Sequence, residues 1–209
     1  MSLQQSLEWR YATKKFDASK KISAEQLNDL LHTTQLAPSS FGLQHYKILV
    51  IENADIRAKL REASFGQSQI TDASHLIVFA AETKIDEEYV KQYVDLTAQI
   101  RKVDRESLAG FENYLLGSIN SKTQEEKTVW AHKQAYIALG ILVGATAEAR
   151  IDICPMEGFN GAQYDEILGL AEKGLTASVI ATIGFRSEDD QTSKYAKVRK
   201  PFKELFINI

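Results

Sequence analysis

Between about residue 125 and residue 149 the chain offers one long helix, amphipathic at first and then almost wholly apolar. Residues 135–147 run Ala-Tyr-Ile-Ala-Leu-Gly-Ile-Leu-Val-Gly-Ala-Thr-Ala. That stretch is shorter than the roughly 20 apolar residues needed to cross a bilayer. It therefore predicts a helix enclosed by other elements of a water-soluble fold, with no membrane span. Gly140 and Gly144 fall on one face of it, where a second helix can approach closely, as ordinary core or interface packing.

The remaining elements must be arranged to cover that helix. Ile22-Ser23-Ala24-Glu25-Gln26-Leu27 predicts a helix start, with Ser23 and Gln26 as a capping box and Ile22 stapled to Leu27. Pro38 ends that helix. Residues 46–52 and 76–81 are rich in Ile, Leu, Val and Ala and read as strands. Asn53 caps a short helix between them, running to about Ala63. Asp86 starts a helix with Val90, Tyr93, Ile100 and Val103 among its apolar positions, and residues 105–118 form another. Residues 151–155 and 178–184 are short strands. A block of helices between strands argues against a regularly alternating, doubly wound sheet. No Gly-x-Gly-x-x-Gly follows a strand and no phosphate-binding Walker sequence occurs. With 209 residues and no repeat or linker, the chain predicts a single domain over 1–209.

Charge placement says more than net charge, which is only −3 and disfavours a general nucleic-acid binder. Residues 10–21 carry Arg10, Lys14, Lys15, Lys20 and Lys21 against Asp17, and residues 194–204 carry Lys194, Lys197, Arg199, Lys200 and Lys203 against Glu204. Two basic islands in an otherwise acidic chain predict a local anion site. Lys15, Lys20, Lys21 and Lys203 read as solvated surface. One cysteine, Cys154, excludes an internal disulfide and suits a reducing cytosol. Four scattered histidines give no metal-ligand spacing, so no metal site is expected. The first residues lack a signal peptide's charged and apolar regions, so the expected compartment is the cytoplasm.

Several local patterns carry chemistry. Arg10 and Lys14 flank an extended turn, where an Arg clamps a phosphate bidentately and a Lys adds a point charge. Alone, such a pair is usually surface charge; paired with Lys197 and Arg199 it suits a dianionic phosphate. Pro38-Ser39-Ser40 alone is loop punctuation, whereas Gln44 brings an amide that both donates and accepts. Cys154-Pro155-Met156-Glu157-Gly158-Phe159 follows a strand and predicts a turn, and Gly158 suits equally an ordinary turn or the close approach of a flat ligand. His32, His75 and His132 read as structural or surface residues. Ser74 and Cys154 read as packing residues, since no motif pairs either with a base. The apolar end, Phe202-Lys203-Glu204-Leu205-Phe206-Ile207-Asn208-Ile209, would be poorly solvated as a free tail and should dock on something.

Taken in order, these pieces resemble the nitroreductase family of flavin mononucleotide (FMN) enzymes. That family carries Arg-x-Ser-x-Lys, then Pro-Ser-Ser-x-x-x-Gln-Pro, then Pro-x-Glu-Gly-Phe, then Lys-x-Arg before its tail. The matching positions here are Arg10 and Lys14; Pro38, Ser39, Ser40 and Gln44; Pro155, Glu157, Gly158 and Phe159; and Lys197 and Arg199. Ala12, Gly42 and His45 depart from the family's usual Ser, Asn and Pro.

The resemblance implies an α+β fold with a mostly antiparallel central sheet flanked by helices. It implies a homodimer that exchanges its C-terminal tail and holds FMN at the subunit interface. Arg10, Lys14, Lys197 and Arg199 would surround the phosphate and ribityl chain, while Ser39, Ser40 and Gln44 would reach the partner's flavin. Pro155, Glu157 and Gly158 would lie near the reactive ring, and Gln69 matches a polar cofactor contact that precedes Asp72-Ala73-Ser74-His75. The implied activity is FMN-dependent NAD(P)H oxidoreduction of nitroaromatics, quinones or similar small electron-poor acceptors, by a ping-pong mechanism. NADH or NADPH supplies hydride, and no protein acid, base or nucleophile is required. The alternatives are dehalogenation or enone reduction on the same fold, decided by residues over the flavin within 111–120, a flavin-binding protein without turnover, and a helical dimerisation module lacking flavin.

Overall fold

The computed structural model describes residues 2–209. Helix α1 (Leu3–Trp9) precedes α2 (Ala24–Gln35), β1 (Tyr46–Ile51), α3 (Ala54–Glu62), α4 (Gln69–Asp72) and β2 (His75–Glu82). A helical block follows, α5 (Glu87–Arg101), α6 (Ala109–Asn120) and α7 (Gln124–Glu148). Then come β3 (Asp152–Met156), α8 (Gly161–Leu168), β4 (Leu175–Gly184) and a single turn, α9 (Phe202–Leu205).

Helix starts follow local chemistry. Ser23 Oγ accepts from Gln26 N at 3.1 Å while Gln26 Oε1 accepts from Ser23 N at 3.0 Å. Asn53 Oδ1 accepts from Ile56 N, and Asp86 Oδ1 from Tyr89 N, each at 3.0 Å. Such caps contribute about 1 kcal/mol apiece. Thr123 and Glu126 close a reciprocal box at the head of α7. The expected helix over 105–118 is divided: a 3-10 turn, Arg105–Leu108, capped by Asp104, precedes α6.

The four strands form one antiparallel sheet in the order β1-β2-β4-β3. All eight residues of β2 are buried. Alternation sorts its side chains: Leu76, Val78 and Ala80 face Leu60, Ile70 and Tyr164, whereas Ile77 and Phe79 join the layer that includes Ala138 and Leu142 of α7. One face of the apolar half of α7, which includes Ala135, Ala138 and Leu142, is thus covered by the sheet.

β4 begins three residues before the strand expected at 178–184. Opposite β2, Val179 pairs with Phe79 and Ala177 with Ala80, so Ser178 is an extra residue. The bulge reverses parity. Leu175 and Ala177 belong to the α8 side, while Val179, Ala181 and Ile183 belong to the α7 side. Ser178 Oγ meets His132 Nδ1 at 2.8 Å, which gives that histidine a structural role.

Segment 11–16 lines the outer edge of β3, with Ala12 bridging Ile153 and Thr13 N donating to Ile153 O at 3.3 Å. Among the described residues no strand pairs with the outer edge of β1. Two apolar surfaces are left open. On α7, Val129, Tyr136 and Ile137 are exposed, and nothing lies within 4 Å of the place a Cβ would take on Gly140. Gly144 instead admits Leu3 of α1, at 3.9 Å. In the tail, Phe202, Leu205, Phe206, Ile207 and Ile209 are all exposed.

Candidate active site

Cations from both ends of the chain converge beside β3. Arg10 closes α1 in an extended conformation, and segment 11–16 then runs along the strand edge. Lys14 Nζ lies 3.8 Å from Cys154 Sγ. Lys197 Nζ donates to the Glu8 carbonyl. The guanidinium of Arg10 is pulled below its ordinary pKa by burial and then by Arg199. Lys197 is lowered too, by burial and then by Arg10, Arg199 and Arg186. These groups repel one another, and the buried Nε of Arg10 has no hydrogen-bond partner among the described residues. An orphaned donor amid mutually repelling cations fits a multiply charged anion. Lys20, by contrast, pairs with Asp17 at 3.0 Å on the surface.

The polar and turn residues expected near a flat ligand lie next to this cluster. Gln69 opens α4, is 6% exposed, and its side chain reaches the Cys154 thiol. Burial pushes that thiol up, against the lowering effect of Lys14 and Arg10, so it stays protonated and is no nucleophile. Pro155 sits on β3, and beyond it Glu157 Oε1 accepts from Tyr136 OH at 2.6 Å. The Gly158 carbonyl accepts from Gln67 Nε2 at 2.7 Å, and a Cβ on Gly158 would stand 3.3 Å from that nitrogen. Gln67 thus pins the turn from 91 residues away, a role that no local pattern in the sequence signals. Ser74 and His75 are buried, with Ser74 Oγ accepting from Ile22 N at 2.9 Å, in keeping with packing roles.

The Ser39, Ser40 and Gln44 loop is elsewhere in the protomer. The Glu82 N–H donates to His45 O, and Glu82 pairs with Leu175, whereas Cys154 pairs with Thr182. At about 3.3 Å per residue those positions on β4 are roughly 20 Å apart. The loop is tightly wound, with positive φ at Phe41, Gly42 and Gln44. Ser39 Oγ accepts from Gln44 N at 2.9 Å, Ser40 N donates to Gln134 Oε1 at 2.9 Å, and Gln44 Nε2 donates to Gln35 O at 2.8 Å. The amide oxygen of Gln44 makes none of these bonds. Gly42 has a physical reason: a Cβ there would lie 2.6 Å from Tyr93 OH, which donates to Phe41 O at 2.7 Å.

His45 is fully buried, its ring centroid 4.0 Å from that of Trp130. Burial lowers its pKa to about 4, with the Trp130 backbone only partly opposing. A histidine depressed in the folded state adds stability that is complete above pH 6.5 and lost as pH falls through about 4. At pH 4.5 the loss from this residue should be about 2–3 kcal/mol. Urea unfolding at pH 7 and pH 4.5 should therefore show a smaller acid loss for His45→Phe than for the parent. Equal losses in both would acquit His45.

The sequence model of the nitroreductase family matches residues 7–185. The chain belongs to the nitroreductase family. Among curated relatives, YfkO of Bacillus subtilis (strain 168) is 36% identical over 216 residues, covering 93% of each chain. The oxygen-insensitive NAD(P)H nitroreductase of Enterobacter cloacae is 28% identical over 209 residues, covering 94% of each. Among solved structures, a family member from Exiguobacterium sibiricum 255-15 in complex with FMN superposes with a TM-score of 0.85. It is 20% identical, with 100% of this chain and 98% of that one covered. The α+β nitroreductase fold expected from the ordered motifs is the fold observed. The match ends at Phe185, so Lys197 and Arg199 lie outside it.

Proposed function

We propose that this protein is an FMN-dependent NAD(P)H oxidoreductase that acts as a homodimer on nitroaromatics, quinones or similar electron-poor acceptors. The observation that carries this reading is the convergence of Lys197 and Arg199 on Arg10, whose buried Nε has no hydrogen-bond partner among the described residues, with Lys14 beside the same Cys154 thiol. These four residues hold the FMN phosphate and ribityl chain. Gln69, Pro155, Glu157 and Gly158 border the ring system, with Gln67 fixing the Gly158 carbonyl. Held by these residues, FMN would supply hydride transfer from a nicotinamide and electron delivery to the acceptor. The protein binds, orients and keeps water away from the ring, and its own side chains supply no acid or base.

The cationic cluster and the Ser39, Ser40 and Gln44 loop lie beside strand positions roughly 20 Å apart along β4, which supports a site completed by a second copy, whose loop reaches the first copy's flavin. Open apolar surfaces on α7 and on the tail support the same arrangement. So does a groove of about 610 Å³ along the unpaired edge of β1, lined by Leu31, Leu43, Ile48, Val50 and Leu96 among others. The partner's tail suits this groove in apolar character. Residues 1–209 then act as one domain in the cytoplasm; no described helix is long and apolar enough to cross a membrane.

The purified protein should be yellow, and acid should release FMN. Initial rates with NADH or NADPH at several quinone concentrations should give parallel double-reciprocal lines, because one pocket serves both substrates in turn. Recovery of FAD, or of no flavin after reconstitution, would overturn the assignment. Intersecting lines would replace the alternating pocket with a separate nicotinamide site.

A further inference from the structure

One carboxylate sits between the two basic segments with no ion pair to either among the described residues. Asp190 is 2% exposed, in the loop after β4. Its Oδ2 accepts from Lys14 N at 2.7 Å, Lys15 N at 3.1 Å and Tyr11 OH at 3.0 Å. Its Oδ1 accepts from Thr192 N at 3.1 Å and from the Thr192 hydroxyl. It thereby caps the 3-10 turn Gln191–Lys194, which leads within three residues to Lys197. The Ser187 N–H donates to Lys15 O at 2.9 Å, closing the same junction from the other direction.

The chemistry of these partners is informative. All five donors are backbone N–H groups or hydroxyls, and none is a Lys or Arg side chain. Burial pushes the Asp190 carboxyl up, yet bonds from Thr192, Lys15, Lys14 and Tyr11 outweigh it and hold it near about 2. It is therefore ionised across the working range. Asp152 behaves differently: its Oδ1 accepts from Arg186 Nε at 2.8 Å and lies 2.6 Å from Nη2, a direct pairing with a guanidinium. A carboxylate that binds only the main chain and hydroxyls of a cationic segment fixes its path and leaves its ammonium and guanidinium groups for an external anion.

We infer that Asp190 is a positioning residue for the phosphate site, its single buried carboxylate holding the segment of Arg10 and Lys14 against the segment that leads to Lys197 and Arg199. This rests on the proposed FMN site and adds the means by which chain segments some 180 residues apart are registered. Segment 11–15 is held on one side by the β3 edge, through Thr13 N to Ile153 O, and on the other by Asp190. Asp190→Asn is the sharp substitution. The amide has nearly the same shape, but its NH₂ must face donors whichever way it turns.

The test compares FMN with riboflavin, which lacks the phosphate, by equilibrium dialysis of the full-length holoprotein against graded concentrations of each. The parent should bind FMN more tightly than riboflavin. In Asp190→Asn the FMN dissociation constant should rise about tenfold or more, with riboflavin changed less than about threefold. Tyr11→Phe, which removes one donor and keeps the ring, should show a smaller loss selective for FMN, and it carries the test if Asp190→Asn does not fold. Equal losses for the two flavins, or no loss for either, in a parent that prefers FMN would overturn the role of Asp190 and leave the cofactor assignment standing. A parent that does not distinguish the flavins would overturn both.

Discussion

Deleting residues 202–209 should release the partner subunit and the flavin together. The segment presents Phe202, Leu205, Phe206, Ile207 and Ile209, all more than half exposed in the protomer. A tail of that composition is stable only when covered. Burying three such side chains is worth several kcal/mol, at roughly 1.5–3 kcal/mol each. The groove along β1 offers cover and an unpaired strand edge to an incoming chain. The tail follows Lys197 and Arg199 closely, so freeing it should also remove the restraint on half of the cationic cluster. Light scattering should show a monomer, and the flavin-to-protein ratio should fall well below that of the full chain. A truncated protein that remains dimeric with its full flavin complement would show that the tail secures neither.

Arg10→Ala should weaken FMN binding by roughly tenfold to a hundredfold, the loss of one charge-assisted phosphate contact of about 1.5–3 kcal/mol. Lys14→Ala and Arg199→Ala should lose affinity in the same direction. Turnover with saturating FMN should change less, because none of the three carries out the chemistry. Stability without flavin should move the opposite way for Arg10. Its guanidinium is lowered by burial and by Arg199, and its buried Nε has no partner among the described residues, so the side chain should cost stability until an anion arrives. Thermal unfolding of flavin-free Arg10→Ala at or above the parent's midpoint, beside a weakened FMN affinity, is the expected pair of results. A variant that loses stability and keeps its FMN affinity would return Arg10 to a purely structural part.

Sequence alone determined the features whose causes lie within a few residues. Ser23, Asn53 and Asp86 start helices because each cap accepts a hydrogen bond from a backbone N–H three residues on. The apolar run at β2 is buried throughout, as its composition requires, and the ordered motifs identified the family and its α+β fold. The split of 105–118 into a 3-10 turn and α6 was less legible, since Asp104 caps a turn that no apolar period announces. The early start of β4 was hidden because the bulge at Ser178 breaks the alternation by which strands are recognised. Tertiary structure alone decided which chemistry-bearing residues meet. It gathered Arg10, Lys14, Gln69 and Cys154 beside β3 and left Ser39, Ser40 and Gln44 near the far end of the sheet. It also gave Asp190 its partners at Lys14 and Gln67 its partner at Gly158, contacts that span 176 and 91 residues of chain. Contacts of that reach depend on strand order and register, which long-range packing fixes and local periodicity does not encode.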